Sequence, residues 1–285
     1  MRIGIVGAGR VGCSLALGLY KKKHEIGGIY SRSKESALFL NKLLGMEVPN
    51  DITTVVNNSE VIFLTVPDME LLPVVNTIEG IGNVKGKTFL HCSGAETSDI
   101  IQPLRDLGAT VGSLHPIQTF ADRVQGFIGL SNIYFSFEGD HEANIISQRI
   151  VNSLNSKLII ISKESKTLYH AAACILSNYM VTLSYAAENM LEKAGIDKSI
   201  ALKAFEPLIK HTVENIAVLG SVNALTGPIS RGDNKTVESH LEQIAKKNPE
   251  NLDLYKILLK HTVGIAIKGK KIDEEKAELI KRLGE

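Results

Sequence analysis

Lys166 and His170 stand one helical turn apart in "KTLYHAAACILSN" (166–178), a stretch otherwise rich in alanine, leucine and isoleucine. Buried polar groups cost free energy unless they are hydrogen-bonded, and an unpaired buried charge costs more. An apolar helix carrying a lysine and a histidine is therefore a candidate for acid–base chemistry. At about 100° per residue, Lys166, His170, Ala173 and Ser177 fall in a stripe about 60° wide. Such a stripe is the pattern of a helix that lines a cleft. Asn178 lies well round from it and reads as a structural amide. A second histidine, His115 in "SLHPIQTF" (113–120), follows a strand-like run. It could serve as a donor or proton carrier, or as a structural imidazole bonded to backbone.

The first residues point to a bound cofactor. "GIVGAGRVG" places Gly7, Gly9 and Gly12 in G-x-G-x-x-G, after a strand and opening a helix. Gly7 permits the tight turn, Gly9 lets backbone approach a pyrophosphate, and Gly12 lets the helix lie close to the sheet. With Ala8, Arg10 and Val11 they form a dinucleotide-binding loop, whose helix N-terminus offers N–H groups to phosphates. The next strand ends in "YSRSK", with Ser31, Arg32 and Ser33 and no carboxylate. An NAD-preferring site carries Asp or Glu there. A guanidinium between two hydroxyls suits a 2′-phosphate, so the expected cofactor is NADP(H).

Ligands of open α/β sheets bind outside the carboxyl ends of the strands. On that rule Val66, Pro67 and Asp68 of "TVPD" line the cofactor, and Ser93 and Gly94 of "HCSGAE" lie near its reactive end or form a plain turn. "ALTGPISRGD" (224–233) offers Arg231, either a clamp for a substrate carboxylate or a residue of an ordinary helix connection. His91, Cys92 and His115 lack metal-ligand spacing, so no metal is expected.

The elements that must position these groups follow from hydrophobic period. Strand-like runs occupy 2–8, 24–31, 59–67, 87–94, 109–116, 132–139 and 156–162, with helical patterns at 10–21 and 34–45 between the first of them. Alternation of this kind implies crossover units and a parallel, buried sheet. After about residue 163 only helical patterns remain, at 164–194, 198–219, 234–246, 251–268 and 273–283. The expected architecture is α/β plus all-α: a dinucleotide-binding domain at 1–162 and a helical substrate and dimerisation domain at 163–285.

The 285 residues are 44% hydrophobic and 22% charged with a formal net charge of +1, which supports a globular chain and no nucleic-acid or membrane surface. Cys13, Cys92 and Cys174 are sparse and widely spaced, as reduced thiols in a cytoplasmic protein would be. Met1 runs directly into the first strand, leaving no room for a signal peptide. The apolar-rich segment 168–191 is interrupted by His170, Asn178, Glu188 and Asn189 and reads as a core helix. The largely apolar helices after 165 hold more apolar surface than one small domain needs, so a homodimer through them is expected.

Taken in order, "GIVGAGRVG", "VIFLTVPD", "LHCSGA", "HPIQTF", "YHAAACILSNYMV" and "ALTGPISRGD" resemble a group of bacterial oxidoreductases across nearly the whole chain. That group pairs an N-terminal Rossmann-like domain with a helical C-terminal domain of long-unknown function. It is similar in architecture to pyrroline-5-carboxylate reductases, β-hydroxyacid dehydrogenases and ketopantoate reductases. The resemblance implies an NADP-dependent reductase of a small 2-oxo acid, with 2-dehydropantoate, a precursor in pantothenate synthesis, as the first expectation. An imine reductase of pyrroline-5-carboxylate type and a non-catalytic NADP-binding sensor are the alternatives. In the related dehydrogenases a Lys-x-x-x-Asn pair opens the helical domain, the Lys polarising the reacting oxygen and the Asn positioning substrate. Here the lysine matches Lys166 but His170 stands where Asn would be. With the residue patterns above, this makes Lys166, His170 and His115 the catalytic candidates, and Ser93, Gly94, Ser177 and Arg231 the expected substrate contacts.

Overall fold

A computed structural model gives the fold of residues 1–46 and 50–285, which divide into two compact units, Met1–Ser177 and Asn178–Glu285. The first unit is built on seven strands: β1 (Arg2–Val6), β2 (Glu25–Tyr30), β3 (Val61–Leu64), β4 (Thr88–His91), β5 (Thr110–Pro116), β6 (Tyr134–Gly139) and β7 (Lys157–Ile160). Their order in the sheet is β2-β1-β3-β4-β5-β6-β7. Helices α1 (Arg10–Lys21), α2 (Lys34–Leu44), α3 (Ile52–Asn58), α4 (Asp68–Ile81), α5 (Gln102–Asp106), α6 (His141–Ser153) and α7 (Lys166–Leu176) complete it.

All seven expected strands are present, but the sheet is not wholly parallel. β1 to β5 run parallel, β6 pairs antiparallel with β5, and β7 runs parallel to β6. The reversal has a local cause. The chain from β5 to β6 holds a 3-10 segment (Gln125–Leu130) and no α-helix. A parallel return needs a crossover of a dozen or more residues, usually helical, laid across the sheet face. Here the connection instead lies against α1, and Leu130 joins the core there. The final strand is an edge: Ile160 is largely exposed.

The sheet is covered on both faces, which explains the continuous apolar run of β3, buried at all four positions. One core joins Ile3, Ile5 and Phe63 to Leu15, Leu19, Leu40 and Ile150 of α1, α2 and α6. The other joins Ile62, Leu64 and Phe89 to Val55, Leu71, Val75 and Leu104 of α3, α4 and α5. α2 starts at a Ser33 side chain that accepts from the Ser36 N–H and ends at left-handed Gly45.

The second unit comprises α8 (Asn178–Lys193), α9 (Ala201–Leu219), α10 (Ser221–Ala224), α11 (Pro228–Arg231), α12 (Asn234–Lys247), α13 (Leu252–Lys268) and α14 (Glu274–Leu283). Its core is made by α12, α13 and α14, through Val237, Leu259, Val263, Ala266, Ala277 and Ile280. The single helix expected over 164–194 is two, broken at Ser177, whose φ of −121° and ψ of −73° leave the helical region. α7 closes the first unit, so the division between the compact units falls after this helix, beyond the expected 162/163 boundary. The reading of 168–191 as a core helix is also corrected. Leu168, Ile175 and Leu176 of α7 and Tyr179, Val181 and Tyr185 of α8 are all exposed. Helical period gives the direction of an apolar face but not what covers it. No helix of the described residues is long and apolar enough to cross a membrane.

Candidate active site

Strand alternation builds the site. Residues of β5 point alternately to the two faces, so Ser113 and His115 share one face. His91 of β4 and Glu138 of β6 lie in register with Ser113, and Ser136 lies in register with His115. A polar row thus crosses the middle of an apolar sheet. α7 runs over this row and adds Lys166, Tyr169 and His170.

Lys166 is fully buried, and its ammonium donates to the Ser113 hydroxyl. That hydroxyl in turn donates to the Ser93 carbonyl at 3.2 Å. Burial drives the Lys166 pKa down to about 8, against an opposing pull from the buried Glu138 carboxylate. Glu138 itself accepts from the Ser98 N–H at 2.7 Å and from the Ser98 hydroxyl at 2.6 Å. His91 is buried with Nε2 3.1 Å from the Thr97 carbonyl, and burial plus the Lys166 charge lower its pKa to about 3. His115 falls to about 4 for the same two reasons, with a smaller push from His170. Both rings are therefore neutral at pH 7, and neither can serve as an imidazolium.

In front of this layer lies a cavity of about 300 Å³ at the carboxyl ends of β3, β4 and β5. Val11, Thr65, Val66, Asp68, Cys92, Ser93, Gly94, His115, Gln118, Phe120 and His170 line it, with Pro116. Two imidazoles converge there over a bare backbone. A Cβ on Gly94 would lie 2.5 Å from His170 Nδ1 and 3.0 Å from His115 Nε2, so only glycine leaves room for both. His170 Nδ1 is buried and has no hydrogen-bond partner among the described residues. Its Nε2 lies 3.7 Å from Cys174 Sγ. His115 Nδ1 lies 2.8 Å from the Tyr169 hydroxyl. An orphaned buried nitrogen facing a cavity is a group awaiting a ligand.

Lys166 does not line the cavity. Its ammonium instead bonds the Ser113 hydroxyl, which in turn bonds the carbonyl of Ser93 in the cavity wall. The stripe correctly put Lys166 and His170 on one face of α7, but it carried no depth. Ser177 ends α7, half-buried, with its N–H bonded to the Ala173 carbonyl, and does not line the cavity. Arg231 belongs to the second unit, at the end of α11, before the left-handed Gly232 and the Asp233 cap of α12. Ser93 does line the cavity. Its oxygen accepts from the Ala95 and Glu96 N–H groups, which leaves its proton free to donate.

The dinucleotide loop meets the same cavity at Val11. Gly7 has φ +110°, and its carbonyl accepts from the Thr65 hydroxyl at 2.7 Å. Gly9 precedes α1 with no side-chain cap, and a Cβ there would meet nothing within 4 Å. The space beside Gly9 and the uncapped N–H groups of α1 form a cradle that fits a pyrophosphate. Ser31 is buried, its backbone pinned in both directions by Asn50. Arg32 is exposed and pairs with Glu70 of α4 at 2.7 Å. Sequence reading missed Glu70 because it lies 38 residues along the chain. It also missed Tyr169, Ser113 and Glu138. The period-2 polarity of "GSLHP" and "YFSFEG" was the available signal for the last two. Cys13, Cys92 and Cys174 are free thiols; Cys13 is buried, and the other two are only partly so. No group of His, Cys, Asp and Glu among the described residues could hold a metal ion.

Comparison with known proteins places this geometry in context. Residues 1–116 match a Rossmann-like domain, and residues 133–262 match a domain of unknown function, DUF2520. No curated protein matches the chain. Among solved structures, a Thermotoga maritima protein is 28% identical, covering 94% of this chain and 99% of its own, with a TM-score of 0.73. A Bacteroides fragilis protein provisionally named an NADP oxidoreductase is 25% identical, covering 93% and 98%, with a TM-score of 0.73. An imine reductase from Myxococcus stipitatus in complex with NADP+ shares the fold at 15% identity, covering 99% and 92%, with a TM-score of 0.63.

Proposed function

For a chain that joins a Rossmann-like domain to a DUF2520 domain, we propose an NADP(H)-dependent reductase of a small molecule with a polar double bond. The observation that carries this reading is the convergence of His115 Nε2 and His170 Nδ1 over Gly94, in a cavity that also reaches α1 at Val11. The provisional name of the Bacteroides protein and the NADP+ bound to the Myxococcus enzyme point the same way. Gly7, Ala8, Gly9, Arg10, Val11 and Gly12 would hold the pyrophosphate. Ser31, Arg32 and Ser33 would hold the 2′-phosphate, which must take the guanidinium from Glu70. Val66, Pro67 and Asp68 would flank the nicotinamide.

A nicotinamide bound there supplies hydride to the electrophilic carbon. The chain's own residues handle the charge that then develops on the neighbouring oxygen. His115 offers a neutral Nε2–H to it. His170 would relay a proton, giving one from Nδ1 to the oxygen as its other ring nitrogen takes one up from solvent, so that C=O becomes CH–OH and the ring ends neutral. Lys166, bonded to Ser113, adds a fixed positive field. That field favours an oxygen becoming negative over a cationic iminium, so a 2-oxo acid such as 2-dehydropantoate is the preferred substrate class, ahead of pyrroline-5-carboxylate. The Ser93 hydroxyl would donate to the substrate carboxylate.

The test is NADPH oxidation with both substrates side by side. His115→Ala and His170→Ala should each lower turnover about 100-fold, the usual worth of a proton-handling group. Unchanged turnover in both would remove them from the mechanism. Arg32→Asp should weaken NADPH binding at least about tenfold, as loss of a phosphate clamp does, and NADH binding far less. Equal losses on fluorescence titration would sink the 2′-phosphate assignment.

The homodimer belongs to this reading. Val181, Leu208, Val213, Val218 and Leu219 on α8 and α9 are exposed large apolar side chains, more than a monomer of this kind leaves in water. A second copy would cover them. Light scattering should give twice the chain mass, and Val181→Glu with Leu208→Glu should halve it. A monomeric wild-type protein at micromolar concentration contradicts it.

A further inference from the structure

We propose that Tyr169 is a positioning residue whose hydroxyl donates to Nδ1 of His115 and so fixes that ring as its Nε2–H tautomer. The consequence is that His115 presents one N–H, and no lone pair, to the cavity beside Gly94. His115 and Tyr169 come from different elements, β5 and α7, and meet at 2.8 Å with their rings at 83°. Which nitrogen of a neutral imidazole carries the proton is decided by the partner of the other.

Three observations set the direction of this hydrogen bond. First, burial keeps His115 neutral, with a pKa of about 4, so only one of its nitrogens holds a proton at pH 7. Second, burial raises the Tyr169 pKa, so the phenol keeps its proton and must place it somewhere. Third, the buried Ser136 hydroxyl on β6 makes no hydrogen bond among the described residues, so it does not take the phenol's proton. Among the described residues the phenol's only hydrogen bond of normal geometry is to His115 Nδ1. Were Nδ1 instead protonated, the phenol would have to turn its proton away from its one hydrogen-bonded neighbour, and Nε2 would turn a lone pair towards an oxygen gaining negative charge.

His170 is the contrast. Its Nδ1 has no protein partner among the described residues, and its ring stands 6.2 Å from His115 at 82°. One histidine is locked and the other is free to exchange its proton. The two therefore divide the labour of stabilising and protonating the same atom.

The tautomer is read directly, without substrate, by long-range proton–nitrogen NMR of histidine-labelled protein. In the wild type His115 should show a protonated Nε2 and a bare Nδ1. In Tyr169→Phe the pattern should average between tautomers, while the NADPH dissociation constant changes less than twofold. In turnover assays, which rest on the reductase reading, Tyr169→Phe should lower kcat about tenfold with KM unchanged, in line with one lost hydrogen bond. A wild-type ring protonated at Nδ1 overturns the proposal, as does an unaltered His115 pattern in Tyr169→Phe. The expected tautomer in a protein that reduces neither substrate leaves this inference standing and sinks the reductase reading instead.

Discussion

Gly12→Ala should destabilise the protein by about 3 kcal/mol or more, while Gly9→Ala, three residues earlier, should leave stability within about 0.5 kcal/mol. The two glycines belong to one motif yet meet opposite surroundings. A Cβ on Gly12 would collide with the backbone carbonyl of Gly7 and lie 2.6 Å from Thr65 Oγ1. Neither obstacle is free to swing away. The Gly7 carbonyl is the acceptor of the Thr65 hydroxyl, and Gly7 sits at a positive φ that fixes the turn. Relief requires α1 to lift from β1 and β3, opening the core around Cys13 and Leu15. Gly9 has φ −78°, open to any residue, and its Cβ site is empty. A methyl there would instead occupy the approach to the phosphates. Thermal melts and NADPH titration on the two variants separate these roles. Gly12→Ala should fail in the melt. Gly9→Ala should melt normally and lose at least about tenfold in affinity, the scale of ~1.4 kcal/mol. Equal melts for both would mean that α1 does not lie as close to the sheet as Gly12 implies.

The same residues show what sequence can carry. Glycine spacing, strand-length apolar runs and the polar stripe on α7 are local patterns set by backbone geometry, and each reappears in the fold. Strand direction is different. Nothing in "NIYFSFEG" encodes which way β6 runs. That depends on whether the preceding connection forms a helix across the sheet, and residues 117–133 do not. Depth is different again. Lys166 and His170 share a helical face, but one side chain ends on the Ser113 hydroxyl of β5 and the other lines the cavity. Glu70 and Glu138 reach Arg32 and the Lys166 environment from distant elements, and no spacing announces them. The exposed α8 and α9 faces show a further limit: an apolar stripe demands a cover without saying whose.

Lys166→Met should make the protein more stable and less active, and both effects should depend on pH. The ammonium is buried, and its pKa is lowered from 10.5 to about 8. The folded state therefore holds this proton less tightly than the unfolded chain does. Below about pH 8 both states are charged, and the penalty for burying the charge is constant, at ~3 kcal/mol by the size of the shift. Between about 8 and 10.5 the unfolded chain binds the extra proton, so wild-type stability rises with pH. Methionine removes the penalty but also the donor to the Ser113 hydroxyl, which keeps its bond to the Ser93 carbonyl; this leaves a net gain of about 2 kcal/mol at pH 7, or roughly 4–6 °C in melting temperature. The gain should shrink as pH approaches 10. Turnover should move the other way, falling about tenfold at pH 7 with loss of the fixed charge behind the developing oxyanion. The wild type should lose activity above pH 8 as Lys166 deprotonates, and the variant should show no such limb. Removing that charge also lifts the His115 pKa from about 4, so the acid limb of the variant should move to higher pH. A variant that melts lower than the wild type at pH 7 would mean that the Lys166–Ser113–Ser93 chain holds the fold together more than the buried charge strains it. An alkaline limb that survives in Lys166→Met would assign that ionisation to another group.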